Sequence, residues 1–228
     1  MELWHVLNRG VDGRDIFQND QDYLRFIHDL YEFNDTSPAG SNVGYRFKSR
    51  DIVSPYINKE REQIVDIHGW CLMKNHYHLL LSERIENGIS LFLRKLNVGY
   101  AKSFNEKYGR VGTLFQGRTK KILIERDAHF NYILHYIHLN PLDYLAGAEK
   151  WRMRNKSGVA DALKALSHLD SYRWSSYLDY VGKKNFPSIL TTSFFKGTFG
   201  DIGAATRDYV REAECAGADF SKLMLESN

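Results

Sequence analysis

One long amphipathic helix is the clearest element that the sequence predicts. Its apolar residues recur at i, i+3, i+4, i+7, i+11 and i+15, and they are Ile89, Phe92, Leu93, Leu96, Tyr100 and Phe104. This spacing places all of them in one continuous stripe. Gly109 follows the stripe and is a typical C-terminal cap, because glycine readily adopts the left-handed conformation that ends many helices.

Four short strands accompany this helix. Alternating residues or short apolar runs predict them over residues 3–8, 64–72, 76–82 and 120–125. A tight connection at residues 73–75 joins the second strand to the third.

Two more helices complete the predicted core. One spans residues 21–33 with Asp20 as its N-cap. The other begins at a capping Asp127 and runs to about Leu139, where Pro141 helps to end it. The resulting order, β-α-β-β-α-β-α, predicts an α+β fold: a ferredoxin-like split βαβ antiparallel sheet with helices on one face.

Two parts of the chain lie outside this pattern. Residues 34–63 are polar and include two prolines and two glycines, which predicts a long insertion with a short helix near residues 58–63. Beyond residue 147 the periodic signals weaken. Residues 174–181 are expected to pack back on the core, and residues 204–216 to form a final helix.

Positive charge is concentrated in one segment. The chain has 228 residues and a formal net charge of +3. Residues 84–126 contain ten Lys/Arg and three acidic residues, so they carry +7 and, by subtraction from +3, the remainder carries −4. This asymmetry predicts a cationic face for a polyanion, although a solvated helix surface would have the same composition.

Composition also predicts the compartment. The hydrophobic fraction of 43% is that of a folded globular protein. The two cysteines, Cys71 and Cys215, are far apart and form neither a disulfide framework nor a zinc pattern, which fits a reducing compartment. No apolar run has the length of a signal peptide or a membrane span. We therefore expect a cytoplasmic protein without a membrane partner.

Two histidines one residue apart open the third strand, in the stretch MKNHYHLLL. Since side chains alternate along a strand, His76 and His78 point to one face and Tyr77 to the other. Such a pair is able to chelate one cation. Paired histidines on a half-buried strand are also often satisfied by backbone or water, so the pair alone leaves both interpretations open.

The last core helix places two polar residues beside each other. At about 100° per residue, Tyr136 and Asn140 lie about 40° apart on one flank of the apolar stripe. His138 is predicted on the opposite flank, and Tyr132 towards solvent. When the helix is considered alone, a tyrosine at the boundary of an amphipathic helix explains Tyr136 equally well.

Together these residues indicate phosphodiester chemistry. A phenol is a poor nucleophile at its free pKa and needs assistance towards the phenolate. A cation held by two imidazoles and an amide oxygen leaves positions open for phosphate oxygens, and neutral N and O ligands favour Mg²⁺ or Mn²⁺ over structural zinc. Attack by Tyr136 would give a covalent phosphotyrosine that conserves bond energy for rejoining.

Several ordered motifs resemble a known family. They are HVLNRG at 5–10, NHYH at 75–78, GTLFQGR at 112–118, YIHLNP at 136–141 and YRWSSY at 172–177. Their joint occurrence in this order resembles the single-tyrosine HUH transposases, which comprise the IS200-like enzymes and, more closely, the REP-associated tyrosine transposases.

The resemblance implies roles for individual residues. The histidine pair, here His76 and His78, would bind the divalent metal. Tyr136 would attack single-stranded DNA and become joined to its 5′ phosphate. Asn140 would be the third ligand, at a position where the IS200-like enzymes often have glutamine. The partner would be single-stranded DNA with hairpins, and the enzyme a monomer or a homodimer.

The resemblance also implies a domain division. It covers roughly residues 1–182, which would form the nuclease and transposase domain, interrupted by the insertion at 34–63. Residues 183–228 would then be a helical C-terminal extension of unknown role.

Cationic and polar residues near these motifs are the predicted DNA contacts. The candidates for phosphate contacts are Arg94, Lys95, Lys102, Arg118, Lys120 and Lys121, and the candidates for touching a hairpin are Asn8, Arg9 and Arg14. Phosphate contacts would make the affinity for DNA sensitive to salt, with little reading of sequence.

The predicted function is therefore that of a metal-dependent single-strand DNA endonuclease and strand transferase. The alternative is a domesticated relative that binds structured DNA or RNA without cutting. The presence of His76, His78 and Tyr136 together argues against that alternative. A replication initiator or relaxase with the same chemistry fits the motif order and the chain length less well.

Overall fold

The computed structural model describes residues 1–37, 61–148, 151–153 and 158–211. Within these ranges four strands form one sheet, and they are β1 Trp4–Arg9, β2 Val65–Met73, β3 His76–Glu83 and β4 Lys120–Leu123. Their order is β2-β3-β1-β4, and all neighbouring strands are antiparallel. Helix α1 (Asp20–Glu32) follows β1 and helix α2 (Gly88–Lys107) follows β3. The predicted α+β class with a split βαβ sheet is confirmed.

Five described helices follow β4. They are α3 Asp127–Leu139, α4 Ala162–Ser171, α5 Tyr177–Tyr180, α6 Ser193–Phe199 and α7 Ile202–Arg211. A 3-10 turn over Asn140–Tyr144 continues α3 directly. The predicted final helix begins two residues earlier than residue 204, and its residues 212–216 lie outside the described ranges. None of the described helices is long and apolar enough to cross a bilayer.

Helices cover both faces of the sheet, which corrects the prediction that they lie on one face. Helices α1 and α2 pack on the face that carries Tyr77 and Leu79. Helix α3 and the helices after it pack on the face that carries Cys71 and Leu80. The physical reason lies in the central strands: seven of the eight residues of β3 are buried, and a strand buried on both sides needs a layer of helices on each.

The apolar stripe of α2 is confirmed, because all six of its residues are buried. Several element ends differ from prediction. Asn19, rather than Asp20, caps α1, and it forms a capping box with Asp22. Helix α3 begins after Arg126 without a side-chain cap, so Asp127 is its first residue.

Residues 174–176 extend the edge of the sheet, as expected for a segment that packs back on the core. The backbone N–H of Leu72 donates to the oxygen of Trp174, and that of Ser176 donates to the oxygen of Trp70, both at 2.9 Å. The helices that follow are thereby anchored over the α3 side, where Phe195 and Ile202 join the same apolar cluster as α3.

Asn34 fastens the two described ends of the predicted insertion. Its Oδ1 accepts hydrogen bonds from the backbone N–H groups of Ile64 and Val65, and its Nδ2 donates to the oxygen of Val65. The remainder of the insertion, residues 38–60, lies outside the described ranges, as does half of the short helix predicted near residues 58–63.

Candidate active site

The paired histidines lie on the sheet face that α3 covers. His76 opens β3 opposite Arg9 of β1, and His78 lies opposite Leu7. The centroids of the two imidazoles are 5.0 Å apart, and their planes are nearly perpendicular at 82°. His78 is fully buried and His76 is 6% exposed. The pair therefore shares one face, as the alternation of the strand predicts, in a site shielded from water.

Helix α3 brings Tyr136 to this pair. The centroid of its phenol ring lies 5.8 Å from that of His78, edge-on at 88°. Only 2% of Tyr136 is exposed. Helix α3 packs across β2 and β3. This packing brings Tyr136 to His78, although the two residues are far apart in the sequence.

The sequence prediction omits a third histidine of this cluster, His5. Strand β1 places it on the same face, opposite Leu80. Its Nε2 lies 3.0 Å from Nδ1 of His78, and the two rings are stacked with centroids 5.2 Å apart. Its ring also meets that of Tyr136 edge-on at 5.8 Å. The motif HVLNRG marks this residue, but only the pairing of β1 with β3 shows which side chain it contacts.

Asn140 is buried one helical turn after Tyr136, and both ends of its amide already have partners. Its Nδ2 donates to the backbone oxygen of Tyr136 at 2.8 Å. Its Oδ1 accepts a hydrogen bond of 2.7 Å from Arg152. A guanidinium at this oxygen repels a cation, so Asn140 would ligate a metal only when Arg152 moves aside. The role of third ligand stays a prediction.

A short segment covers Tyr136 from the other side. The ring of Trp151 lies 5.7 Å from that of Tyr136, and the guanidinium of Arg152 lies 5.8 Å from its centroid. Asp143 holds both residues, since it accepts a 2.7 Å hydrogen bond from the indole of Trp151 and forms an ion pair with Arg152. Arg152 thus brings a positive charge beside the phenol, where a phosphate would be attracted.

The C-terminal helices bury the outer side of α3, which the sequence prediction leaves to solvent. Tyr132 is buried and packs against Tyr136 and against Tyr209 of α7, with ring centroids 6.2 and 5.3 Å away. The prediction that Tyr132 points towards solvent is wrong for this reason. His138 is also buried, and its Nε2 lies 2.9 Å from the hydroxyl of Ser176.

Two ring nitrogens near Tyr136 are candidate metal ligands. Nδ1 of His76 lies 2.6 Å from Oδ1 of Asn75, and because this oxygen accepts, Nε2 of His76 carries the lone pair. Nδ1 of His78 faces His5, which leaves Nε2 of His78 as the possible ligand atom. Within the described ranges no three His, Cys, Asp or Glu side chains form a metal-binding group.

A family model matches part of the chain. Residues 47–140 match the family model described as Transposase IS200 like. The chain resembles IS200-like transposases. The resemblance predicted from the motifs is confirmed over this segment, which contains both paired histidines and Tyr136.

Solved structures also match the chain. One of them is described as a REP-associated tyrosine transposase bound to a REP hairpin, and it shares 12% identity with a TM-score of 0.47 over 83% of this chain and 85% of that chain. The search of curated proteins gave no match.

The predicted cationic DNA contacts fall into two groups, one on each side of the sheet. Most of the predicted DNA contacts lie in the IS200-like segment. Arg9 pairs with His76 and Lys120 pairs with Leu7, so both side chains stand on the histidine face. Arg118 is exposed in the loop before β4. The backbone N–H of Gln116 donates to the oxygen of Arg9, which holds this loop beside β1.

The other cationic candidates lie across the sheet. Arg94, Lys95 and Lys102 belong to α2, which packs on the opposite face. Lys95 donates to the backbone oxygens of residues 35 and 37, and Lys121 donates to the hydroxyl of Ser90 at 3.0 Å. These residues are not brought to the histidines.

Asn8 and Arg14, two of the residues predicted to touch a hairpin, differ in their exposure. Asn8 is 5% exposed, because its Nδ2 donates to the hydroxyl of Thr119 and its Oδ1 accepts from the backbone N–H of Arg9. Asn8 thus ties β1 to the segment before β4, and its contact with a hairpin stays a prediction. Arg14 is half-buried and donates to the backbone oxygen of Val11.

Proposed function

We propose that the protein is a metal-dependent endonuclease and strand transferase that cuts and rejoins hairpin-bearing single-stranded DNA through Tyr136. The observation that carries this proposal is the edge-on contact of Tyr136 with His78 at 5.8 Å. It lies inside the segment that matches IS200-like transposases. A nucleophile beside two imidazoles able to bind a metal is an arrangement that supports phosphodiester transfer.

Tyr136 acts as the nucleophile in this proposal. Its phenol oxygen forms a bond to phosphorus, and the bond between phosphorus and the 3′ oxygen breaks. The phenol loses its proton, and the leaving 3′ oxygen gains one. The 5′ phosphate then remains on Tyr136. Attack by the same 3′ hydroxyl rejoins the strand, and attack by another 3′ hydroxyl transfers it.

The surrounding residues orient the phosphate. His76 and His78 would hold Mg²⁺ or Mn²⁺ through their Nε2 atoms, with Asn140 as the proposed third ligand. The bound ion supplies orientation and charge neutralisation for the phosphate. Arg152 would pair with the incoming phosphate oxygens, because a guanidinium binds them well, and this exchange would release the oxygen of Asn140.

The substrate class follows from charge and motifs. Arg9 and Lys120 stand on the histidine face, and Arg118 lies in the adjoining loop. Three cations beside the site favour binding of a DNA backbone, and the affinity would fall as salt rises. The residues across the sheet, such as Arg94 and Lys102, would contribute less to DNA held at Tyr136.

A covalent adduct tests the proposal. Hairpin-bearing single-stranded DNA labelled at its 3′ end is incubated with the protein and Mn²⁺, and the products are separated under denaturing conditions. We expect the wild type to form a labelled protein–DNA adduct. No adduct should form in Tyr136→Phe, or in the wild type when a chelator is present from the start. Tyr132→Phe is the matched control, because it removes a hydroxyl from a buried tyrosine on the same helix, and it should keep the adduct.

Two results would contradict the proposal. An adduct that persists in Tyr136→Phe would mean that another residue is the nucleophile. Hairpin binding without any adduct, with either Mg²⁺ or Mn²⁺, would instead identify a binding module that does not cut.

A further inference from the structure

We infer that His5 is a positioning residue, which keeps the ring proton of His78 on Nδ1 so that Nε2 of His78 faces the metal. The purpose of this arrangement rests on the proposed function. The contact itself, between two buried imidazoles on neighbouring strands, does not.

The contact is set by the pairing of β1 with β3. His5 lies opposite Leu80 and Leu7 lies opposite His78, so His5 and His78 are diagonal neighbours on one face. Both side chains are fully buried. Nε2 of His5 is 3.0 Å from Nδ1 of His78, which is the length of a hydrogen bond. In this dry environment the bond is stronger than it would be in water.

The bond has two possible directions, with opposite consequences. In a pair of neutral imidazoles one nitrogen donates and the other accepts. If His78 donates from Nδ1, its Nε2 keeps a lone pair and is able to bind a metal. If His5 donates instead, Nε2 of His78 carries the proton and is blocked.

The neighbouring histidine indicates which direction holds. Nδ1 of His76 donates to Oδ1 of Asn75, so His76 presents the lone pair of its Nε2. Nδ1 of each ring already has a neighbour, Asn75 for His76 and His5 for His78, so one ion shared by the two rings would be held through Nε2. Metal-binding histidines commonly donate their other ring nitrogen to an acceptor. His5 therefore acts for His78 as Asn75 acts for His76.

Two substitutions separate hydrogen bonding from packing. His5→Phe keeps an aromatic ring beside Tyr136, where the His5 ring lies 5.8 Å away, but removes the acceptor. His5→Gln keeps an amide acceptor near the position of Nε2. The dispersion of NMR signals shows whether each variant folds.

The direct measurement is the position of the ring proton. In metal-free protein with ¹⁵N-labelled histidine, we expect NMR to show His78 protonated on Nδ1 in the wild type and in His5→Gln. In His5→Phe the proton should distribute over both nitrogens. A wild-type His78 protonated on Nε2 would overturn the inference.

The second measurement is the affinity for Mn²⁺ alone, followed by the EPR signal of the free ion. We expect His5→Phe to bind about 10–100-fold more weakly than the wild type, and His5→Gln to stay within about threefold. The inference fails if His5→Phe binds as tightly as the wild type, if His5→Gln loses as much as His5→Phe, or if the wild type does not bind Mn²⁺.

Neither measurement uses DNA, so the role of His5 and the proposed function are tested independently. Absence of a DNA adduct, with the expected proton position and Mn²⁺ affinities, would remove the proposed function and leave His5 as a positioning residue of a metal site. Adduct formation with unchanged Mn²⁺ affinity in His5→Phe would leave the function and remove the role of His5.

Discussion

Two buried tyrosines lie on opposite faces of the same sheet. Tyr77 of β3 faces α2, where its hydroxyl donates to Oδ1 of Asn97 at 2.7 Å. Asn97 and Asn8 in turn donate to the hydroxyl of Thr119. Burial raises the pKa of Tyr77 well above its usual value, so its phenol stays protonated. Tyr77 is therefore part of a neutral polar network that joins β3, α2 and β1.

Tyr136 is buried to a similar degree but has different neighbours. His5 and His78 meet its ring edge-on, and the guanidinium of Arg152 lies near its face. The hydroxyl of Tyr77 joins a network of amides and a hydroxyl, whereas two imidazoles and a positive charge lie beside Tyr136. The difference teaches that burial does not decide the role of a tyrosine. Its role depends instead on whether the groups beside the tyrosine are able to bind a cation or a phosphate.

Two glycine substitutions, one on each side of the sheet, should give the largest difference between the Tyr136 side and the Tyr77 side. A Cβ on Gly69 would lie 2.5 Å from Leu134 of α3, and a Cβ on Gly99 would lie 2.3 Å from the ring of Phe33. Both Gly69→Ala and Gly99→Ala should cost about 1–3 kcal/mol of unfolding free energy, measured with urea. Only Gly69→Ala displaces the helix that carries Tyr136, so we expect its adduct yield to fall about tenfold and that of Gly99→Ala to stay unchanged.

The reverse result would remove the distinction between the two faces. If Gly99→Ala lowered adduct formation as much as Gly69→Ala, the α2 side would be part of the active machinery.

Removal of the hydroxyl of Tyr77 should affect stability alone. Tyr77→Phe leaves the oxygen of Asn97 without its donor, which should cost about 1–2 kcal/mol of unfolding free energy. Adduct yield should match the wild type once both proteins are folded, because Tyr77 points away from the histidines. A loss of adduct in folded Tyr77→Phe would show that the two faces are coupled.

The smallest expected effect is a pH dependence from the α3 side of the sheet. His68 of β2 packs near Phe194 and Phe195 of α6, and its burial lowers the pKa of the imidazole below the usual 6.5. The unfolded chain therefore takes up a proton near pH 6.5 while the folded chain does not, so stability falls as the pH drops below that value.

The magnitude is at most about 1.4 kcal/mol per pH unit for one histidine. Urea unfolding at pH 7.5 and 5.5 measures it, and His68→Gln should reduce the difference between the two values. An equal difference in the wild type and the variant would assign the pH dependence to other groups.

Local patterns predicted the elements well because they depend on near neighbours in the chain. The spacing of Ile89 to Phe104 predicted α2 and its buried face, and the alternation around Tyr77 predicted which side chains of β3 share a face. The cap of α1 moved by one residue to Asn19, because Asp20 and Asn19 are both common caps and only the backbone conformation distinguishes them.

Contacts between distant segments were predicted only in part. The helical wheel indicated that Tyr136 lies beside Asn140, but not that Arg152 occupies the oxygen of Asn140. The C-terminal helices have weak sequence signals, and they bury Tyr132, which a single helix considered alone places towards solvent.

The sequence by itself determined the order of the elements, the shared face of His76 and His78, and the motifs that resemble a transposase family. Only the tertiary structure decided that helices cover both faces, that His5 contacts His78, and that cations such as Lys95 lie away from the histidines. The reason is physical. Periodicity records what one element does to its own side chains, whereas the register between strands and the packing of α3 bring together residues with no fixed separation in the chain.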